Sequence, residues 1–159
     1  MKAANRVALI LVGALLTIGP AALSRQPAVD QRAERHRVFL QEGVPLEYRS
    51  RRSPYPAATM VIRDGEDLYR QHCAACHGVN GQGDGEAGKD LTPPPALLAQ
   101  LIKRRRSIDE YLLWTISEGG KRFGSDMPAF KATLDDNEIW QIVTYMRSGF
   151  LPLGEAGRD

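Results

Sequence analysis

The segment Cys73-Ala74-Ala75-Cys76-His77 constrains this 159-residue chain more than any other feature of its sequence. It has the form C-x-x-C-H, a pattern that indicates covalent attachment of a c-type haem. Two thiols three residues apart can each bond one vinyl group of the porphyrin, and the histidine that follows can reach the iron from the same side. We therefore expect one haem c, attached through Cys73 and Cys76 and ligated by His77.

Two other uses of paired cysteines fit the rest of the sequence less well. A four-ligand zinc site needs further Cys or His ligands, and the only other histidines are His36 and His72. A redox-active dithiol of the thioredoxin type is expected within a βαβ pattern, which this sequence lacks. Because both cysteines belong to the motif, no disulfide remains to stabilise the fold, and packing around the cofactor must do so.

The N-terminus has the pattern of an export signal. Two basic residues precede the apolar run Val7 to Ile18, and Ala22-Leu23-Ser24 has the small-x-small form of a cleavage site. The run is shorter than the roughly 20 apolar residues that a membrane span needs, although extension to Leu23 reaches the lower limit. We expect residues 1–24 to be a signal peptide, or alternatively a retained anchor, and the protein to be periplasmic or membrane-associated and facing the periplasm.

Residues 25–60 are rich in arginine and proline and have little apolar periodicity. We expect an extended arm or linker, in which the stretch from Gln31 to Leu40 allows a short helix. In the alternative interpretation the arm contacts a partner subunit of a membrane complex. The contact residues would be Val44, Leu46, Tyr48 and Tyr55.

Helical patterns begin near Val61. Asp64 is the expected N-cap of a first helix that leads to Cys73, since acidic residues follow it in the first turn. A short helix is expected within the stretch from Ala96 to Arg106, after a rigid run of three prolines.

Two later helices have capping signals. Ser107 and Glu110 have the spacing of a capping box, and Gly119-Gly120 ends the helix that they begin. Asp135 and Glu138 form a second capping box, for the last helix. That helix carries one apolar stripe, which consists of Ile139, Ile142, Val143 and Met146.

No segment longer than four residues alternates as a strand does. The sequence therefore predicts an all-α domain over residues 61–150, followed by a C-terminal tail at residues 151–159.

Met127 is the residue that we expect at the second axial position of the haem iron. It lies in a loop before Pro128, which restricts its backbone, and a stiff loop is what would hold a weak thioether ligand on the iron. The other candidates are Met146 on the apolar stripe, Met60 before the first helix, His72 beside the attachment segment and His36 in the polar arm.

With these residues identified, the sequence resembles the class I c-type cytochromes, which are single-haem, all-α electron carriers. The resemblance covers residues 61–150. It depends on the haem motif, on Met127-Pro128 and on Gly65 and Tyr69 facing Ile142 and Tyr145. It implies a small cytochrome c fold of about four short helices wrapped around the haem, in which the first and last helices cross closely at a glycine.

The resemblance also implies two further contacts with the haem region. Trp114 would donate its indole N–H to a haem propionate, with packing in the core as the alternative. A proline carbonyl would hold His77 through its other ring nitrogen. The sequence does not distinguish Pro93, Pro94 and Pro95 for this role, and Pro94 is included among the expected cofactor-binding residues.

A haem with both axial positions filled is suited to reversible one-electron transfer. We expect an electron-transfer protein and not an enzyme, either free or as the haem subunit of a respiratory or dehydrogenase complex, with redox proteins as partners. The alternative is a gas-binding or sensor cytochrome whose sixth ligand is absent or displaceable. A di-haem peroxidase would need a second C-x-x-C-H, and the nearly balanced charge, 21 basic and 19 acidic residues, argues against nucleic-acid binding.

Overall fold

The computed structural model of the protein describes residues 28–104 and 108–151. Within these ranges the chain forms α-helices and short 3₁₀ turns and no strand, so the all-α prediction is confirmed. The α-helices are α1 (Ala28–Glu42), α2 (Thr59–His72), α3 (Ala74–His77), α4 (Leu98–Leu101), α5 (Asp109–Glu118) and α6 (Asp136–Arg147). The 3₁₀ turns are Leu46–Tyr48, Glu86–Gly88 and Lys121–Phe123.

Two of the predicted segments fall at the ends of the chain. The expected signal peptide, residues 1–24, and residues 152–159 of the expected tail lie outside the described residues. Among the helices of residues 28–104 and 108–151, none is long and apolar enough to cross a membrane.

Helices α2 and α6 cross at Gly65, as the resemblance implies. A Cβ atom at Gly65 would lie 2.1 Å from the backbone oxygen of Gln141, so only glycine allows the two backbones to come this close. Next to the crossing, the buried rings of Tyr69 and Tyr145 pack with their centroids 5.5 Å apart. The Tyr69 hydroxyl also donates a hydrogen bond of 2.7 Å to the carbonyl of Gly78, which ties α2 to the residue after the haem motif.

The capping box of α6 is confirmed. The backbone N–H of Glu138 donates to the Asp135 carboxylate at 2.9 Å, and the N–H of Asp135 donates to the Glu138 carboxylate at 2.8 Å. This reciprocal pair satisfies two of the N–H groups that the first turn of a helix leaves without partners.

The predicted start of the first domain helix is wrong. Helix α2 begins at Thr59 with Ala58 at its N-cap, and Asp64 lies within the helix. The helix is longer because no proline or glycine interrupts the chain between Pro56 and Gly65, and an acidic residue alone does not start a helix where the preceding residues can join it.

The predicted capping box of α5 is also wrong. Ser107 lies outside the described residues, and Ile108 stands at the N-cap of α5 without a side-chain cap. The Glu110 carboxylate instead accepts the backbone N–H of Ser50, so a long-range contact takes the place of the local one. The helix expected between residues 96 and 106 is present as the single turn α4.

The expectation of an extended arm is wrong for the N-terminal segment, residues 28–58. This segment contains helix α1 and a 3₁₀ turn, and Val44 is only 2% exposed. Tyr48 is buried as well, and its hydroxyl donates a 2.5 Å hydrogen bond to the Glu118 carboxylate at the end of α5. The segment is therefore packed on the domain through a few deeply buried side chains.

This packing changes the interpretation of the four arm residues proposed to contact a partner. Val44 and Tyr48 belong to the same hydrophobic core as α5 and α6, and Tyr55 packs against it. Only Leu46, which is 77% exposed, is accessible as a large apolar side chain among the four.

Candidate haem site

One cavity of the described structure receives side chains from all six α-helices. Its lining contains the four residues that sequence reasoning assigned to haem attachment and iron ligation, namely Cys73, Cys76, His77 and Met127. Most of the remaining lining is apolar, and it includes Leu91, Leu98, Leu101, Leu112, Ile116, Ile142 and Met146. The cavity thus combines metal-ligating and thiol groups with apolar walls.

His77 is held at the cavity through its imidazole ring. It ends α3, the single turn that follows Cys73, and its Nδ1 lies 3.1 Å from the carbonyl oxygen of Ala96. Burial lowers the pKa of His77, and the contact with Ala96 partly opposes that shift. A neutral imidazole that donates its Nδ1–H to a carbonyl keeps the Nε2 lone pair available for a metal.

The carbonyl that supports His77 comes from Ala96, so the expectation that one of the three prolines, with Pro94 among them, supplies it is wrong. Pro93, Pro94 and Pro95 all line the cavity, but Ala96 is the residue whose oxygen faces the ring. The path of the chain decides this. Pro95 packs against Gly88, where a Cβ atom would lie 2.5 Å from the proline ring, and this close approach brings Ala96 to the imidazole.

Both cysteines line the cavity, and they do not form a disulfide with each other. Burial raises the pKa of the Cys73 thiol to about 12, with Cys76 adding to the shift, so this thiol is protonated and neutral at pH 7. A neutral thioether is therefore compatible with the same environment. Gly85 lets the following loop lie directly on the motif, since a Cβ atom there would lie 2.4 Å from the carbonyl oxygen of Ala75.

Met127 is half-buried in a loop that is fastened to the end of α5. The N–H of Gly120 donates to the Met127 carbonyl at 2.7 Å, and the N–H of Phe130 donates to the Ile116 carbonyl at 3.1 Å. A Cβ atom at Gly119 would lie 2.4 Å from the carbonyl carbon of Pro128. The two glycines therefore end α5 and also make room for the methionine loop, a second role that the sequence did not reveal.

The alternative ligands divide into two pairs. Met146 and His72 also line the cavity, Met146 as a buried member of the core and His72 with its ring against Phe130. Met60 is 65% exposed on α2, and His36 packs its ring on Tyr111. Neither Met60 nor His36 is part of the cavity lining.

Trp114 does not line the cavity, so the structure gives no support to its predicted contact with a propionate. The ring is buried in α5, edge-on to Tyr111 and Phe123. This position agrees with the alternative interpretation, in which Trp114 packs in the core.

Arg35 is the cavity residue that sequence reasoning missed. It comes from α1 and is only 9% exposed, although arginine is rarely buried without a partner. No local pattern distinguishes it from the other arginines of residues 25–60, because burial of this one side chain depends on how α1 docks on α5.

The donor set and the polarity of the cavity fit a covalently attached haem. Two thiols, an imidazole and a thioether are the groups that attach and ligate haem c, and the apolar walls suit a porphyrin. Two polar features match its propionates: Arg35 is buried, and the Thr115 hydroxyl is buried beside Tyr111 without a hydrogen bond of normal geometry.

Comparison with known proteins supports the same assignment. The sequence model of the family described as "Cytochrome C oxidase, cbb3-type, subunit III" matches residues 61–146, a little over half of the chain. The chain belongs to this cytochrome c family. The class I c-type cytochrome resemblance is thereby confirmed, and with it a covalently attached haem c and haem-based electron transfer.

Two curated relatives of this family member are also cytochromes. The chain is 33% identical over 84 residues to the cbb3-type cytochrome c oxidase subunit CcoP of Azospirillum brasilense, an alignment that covers 53% of this chain and 27% of that protein. It is 28% identical over 98 residues to cytochrome c550 of Pseudomonas aeruginosa, which covers 61% of each chain. The chain therefore spans less than two thirds of the length of either relative.

Among solved structures, the chain is similar to cytochrome CL from the marine methylotrophic bacterium Methylophaga aminisulfidivorans. The two share 22% sequence identity, with a TM-score of 0.41, over 83% of this chain and 71% of the other.

Proposed function

We propose that this cytochrome is a single-electron carrier in which His77 and Met127 are the two axial ligands of one haem c. The observation that carries the proposal is that both residues line the same cavity as Cys73 and Cys76. When bound, the haem supplies one-electron Fe(III)/Fe(II) chemistry, and a methionine ligand raises its reduction potential relative to a second histidine.

The residues around the ligands hold them in place. The Ala96 carbonyl fixes the orientation of the His77 ring, and the bond between Gly120 and the Met127 carbonyl holds the methionine loop against α5. A thioether binds iron weakly, so a loop that is already fixed lowers the entropy lost when the bond forms. The walls around both ligands are mainly apolar.

An absorption spectrum tests this ligand pair. We expect the ferric holoprotein to show the weak near-infrared charge-transfer band of methionine-ligated haem. The band should disappear in Met127→Ala and persist in two controls, Met146→Leu inside the cavity and Met60→Leu on the surface. Absence of the band in the unmodified protein, or its persistence in Met127→Ala, would contradict the assignment.

The same preparation separates electron transfer from gas binding. A carrier with both axial positions filled should bind carbon monoxide slowly or not at all in its ferrous form, and Met127→Ala should bind it readily. Rapid binding by the unmodified protein would instead favour a sensor or gas-binding cytochrome.

We further propose that the protein is exported and exchanges electrons with redox proteins on the periplasmic side, without itself being an enzyme. The names of the two relatives, an oxidase subunit and a cytochrome c550, support both a complex subunit and a free carrier. Intact mass of the exported protein tests the first point, since a chain that begins near Arg25 has lost its apolar N-terminus. A high-salt wash of the membranes tests the second point. A chain that has lost its apolar N-terminus and still remains in the membrane fraction is held there by a complex.

A further inference from the structure

Arg35 brings a positive charge from α1 to the haem cavity. It lies outside residues 61–146, which the family model matches, and it lines the cavity beside Tyr111 and Thr115 of α5. Arg35 therefore belongs to the N-terminal segment of this chain and not to the part that the family model matches.

The Arg35 guanidinium is held in one orientation by neutral groups, so its positive charge is not balanced by a negative one. Nη1 donates to the carbonyl of Thr115 at 3.3 Å, and Nη2 donates to the carbonyl of Gly119. The group also lies over the ring of Phe123, 4.8 Å from its centroid. A guanidinium has five N–H donors, and these two bonds engage two of them.

No carboxylate of the described residues forms an ion pair with Arg35. A buried charge without a countercharge is costly, because neither water nor an anion compensates for its lost solvation. Burial accordingly lowers the pKa of the Arg35 guanidinium, although arginine stays protonated at physiological pH. The structure thus holds a fixed cation at one place in a mainly apolar cavity.

A second polar group lies next to this cation. The Thr115 hydroxyl is buried beside the Tyr111 side chain and makes no hydrogen bond of normal geometry within the described part of the chain, while the carbonyl of the same residue accepts from Arg35. An arginine fork and a hydroxyl form a donor set that suits a carboxylate. The haem c of this family carries two carboxylates, its propionates, and no other anion is implied by the cavity.

We propose that Arg35 and the Thr115 hydroxyl bind a propionate of the haem, with Arg35 as its countercharge. Helix α1 would then be part of the cofactor site, and the bonds from Arg35 to α5 would serve to aim the guanidinium. The inference rests on the haem c of the family and not on the proposed His77/Met127 ligand pair, so the two can fail separately.

Redox-induced infrared difference spectra of the holoprotein test the contact directly, with ¹³C in the haem carboxylates to separate their bands from those of Asp and Glu. We expect Arg35→Gln to shift the labelled carboxylate band. It should also lower the equilibrium constant for haem reduction roughly tenfold, because a hydrogen-bonded positive charge near the haem favours the reduced form. Thr115→Val, which keeps the side-chain shape, should shift the band to a smaller extent.

Arg37→Gln is the matched control. Arg37 lies on the same helix and the same charge is lost, but its side chain is exposed and pairs with Glu34 at 2.6 Å. It should leave both the band and the equilibrium constant unchanged. If Arg35→Gln behaves as Arg37→Gln does, the proposal is overturned, and Arg35 only caps the end of α5.

Arg35→Lys covers the case in which Arg35→Gln does not accumulate with haem. Lysine keeps the charge but loses the planar fork. We therefore expect a shifted carboxylate band together with an equilibrium constant close to that of the unmodified protein. An unshifted carboxylate band in Arg35→Lys, or an equilibrium constant for haem reduction that falls roughly tenfold, would overturn the proposed countercharge.

Discussion

The α2–α6 crossing and the N-terminal segment are both packed into one core, but by different means. At the crossing, Gly65 brings two backbones together and the rings of Tyr69 and Tyr145 fill the space beside it. The N-terminal segment is polar, and it is attached through a few individual contacts, of which Arg35 and Tyr48 are the most buried polar ones. At a close-packed interface, a substitution that adds even one atom lowers the stability. In a segment held by separate contacts, a substitution lowers the stability only by the contribution of the hydrogen bond that it removes.

This difference explains what each region contributes to function. The crossing fixes α2, which leads directly into Cys73, and so it sets the position of the haem motif. The N-terminal segment meets the end of α5, from which the methionine loop departs. The first region therefore positions the attachment side of the site, and the second stabilises the segment that carries Met127.

Gly65→Ala should produce the largest effect. Its Cβ atom would lie 2.1 Å from the backbone oxygen of Gln141, which cannot move aside as a side chain can. We expect the free energy of unfolding of the holoprotein to fall by about 3 kcal/mol, or the holoprotein not to accumulate.

Gly124→Ala is the control for that measurement. It adds the same methyl group where nothing lies within 4 Å, and only its positive φ of 71° opposes the change. We expect it to cost about 1 kcal/mol in chemical denaturation. Equal costs for the two variants would show that the crossing is not limited by backbone contact.

Gly119→Ala should have the next largest effect, at the junction between α5 and the methionine loop. A Cβ atom there would meet the backbone of Pro128 at 2.4 Å, and its φ of 65° disfavours other residues. We expect a loss of about 2 kcal/mol in stability. The displaced loop should also weaken the near-infrared band of the methionine-ligated ferric haem.

Gly120→Ala sharpens this test. Its Cβ atom would meet the Ser125 hydroxyl, which can rotate away, and it would lie 3.1 Å from the Cβ atom of Met127. The stability loss should therefore be smaller than for Gly119→Ala. The reverse order would contradict the close fit between Gly119 and Pro128.

Glu118→Gln should have the smallest effect. It tests how much the hydrogen bond between Tyr48 and Glu118 contributes to stability, and how this contribution depends on pH. Bonds from Tyr48 first and Lys131 second hold the pKa of Glu118 below its usual value, and burial opposes them. Because the folded protein favours the ionised carboxylate, its contribution is present above pH 4.5 and is lost as pH falls below that value. We expect Glu118→Gln to cost about 1 kcal/mol at pH 7 and less at pH 3.5, as measured by chemical denaturation.

The control for this experiment is Glu47→Gln, which removes one carboxylate from the 3₁₀ turn of the same segment. Its cost should be small at both pH values. A difference between Glu118→Gln and the unmodified protein that grows on acidification would contradict the role given to the ionised Glu118.

Sequence reasoning was most successful where the signal is local. The spacing of Cys73, Cys76 and His77 predicts the cofactor, and Asp135 with Glu138 predicts the start of α6 within one residue. It failed at Asp64 and at Ser107 with Glu110, where capping patterns occur but the chain uses other residues. A capping pattern shows that a helix is able to start there, while tertiary contacts decide whether it does.

The sequence by itself determined the covalent cofactor and the helical class, because each depends on residues a few positions apart. The close approach at Gly65 was implied by the family resemblance alone, since it joins Gly65 to Gln141 of another helix. Only the tertiary structure decided that Ala96 supports His77, that Trp114 packs away from the cavity and that Arg35 lines it. Arg35 and Gly119 are 84 residues apart in the chain. Contacts of that kind depend on how whole helices pack against each other. The residues next to an arginine in a polar segment therefore do not show whether its side chain will be buried or against which helix.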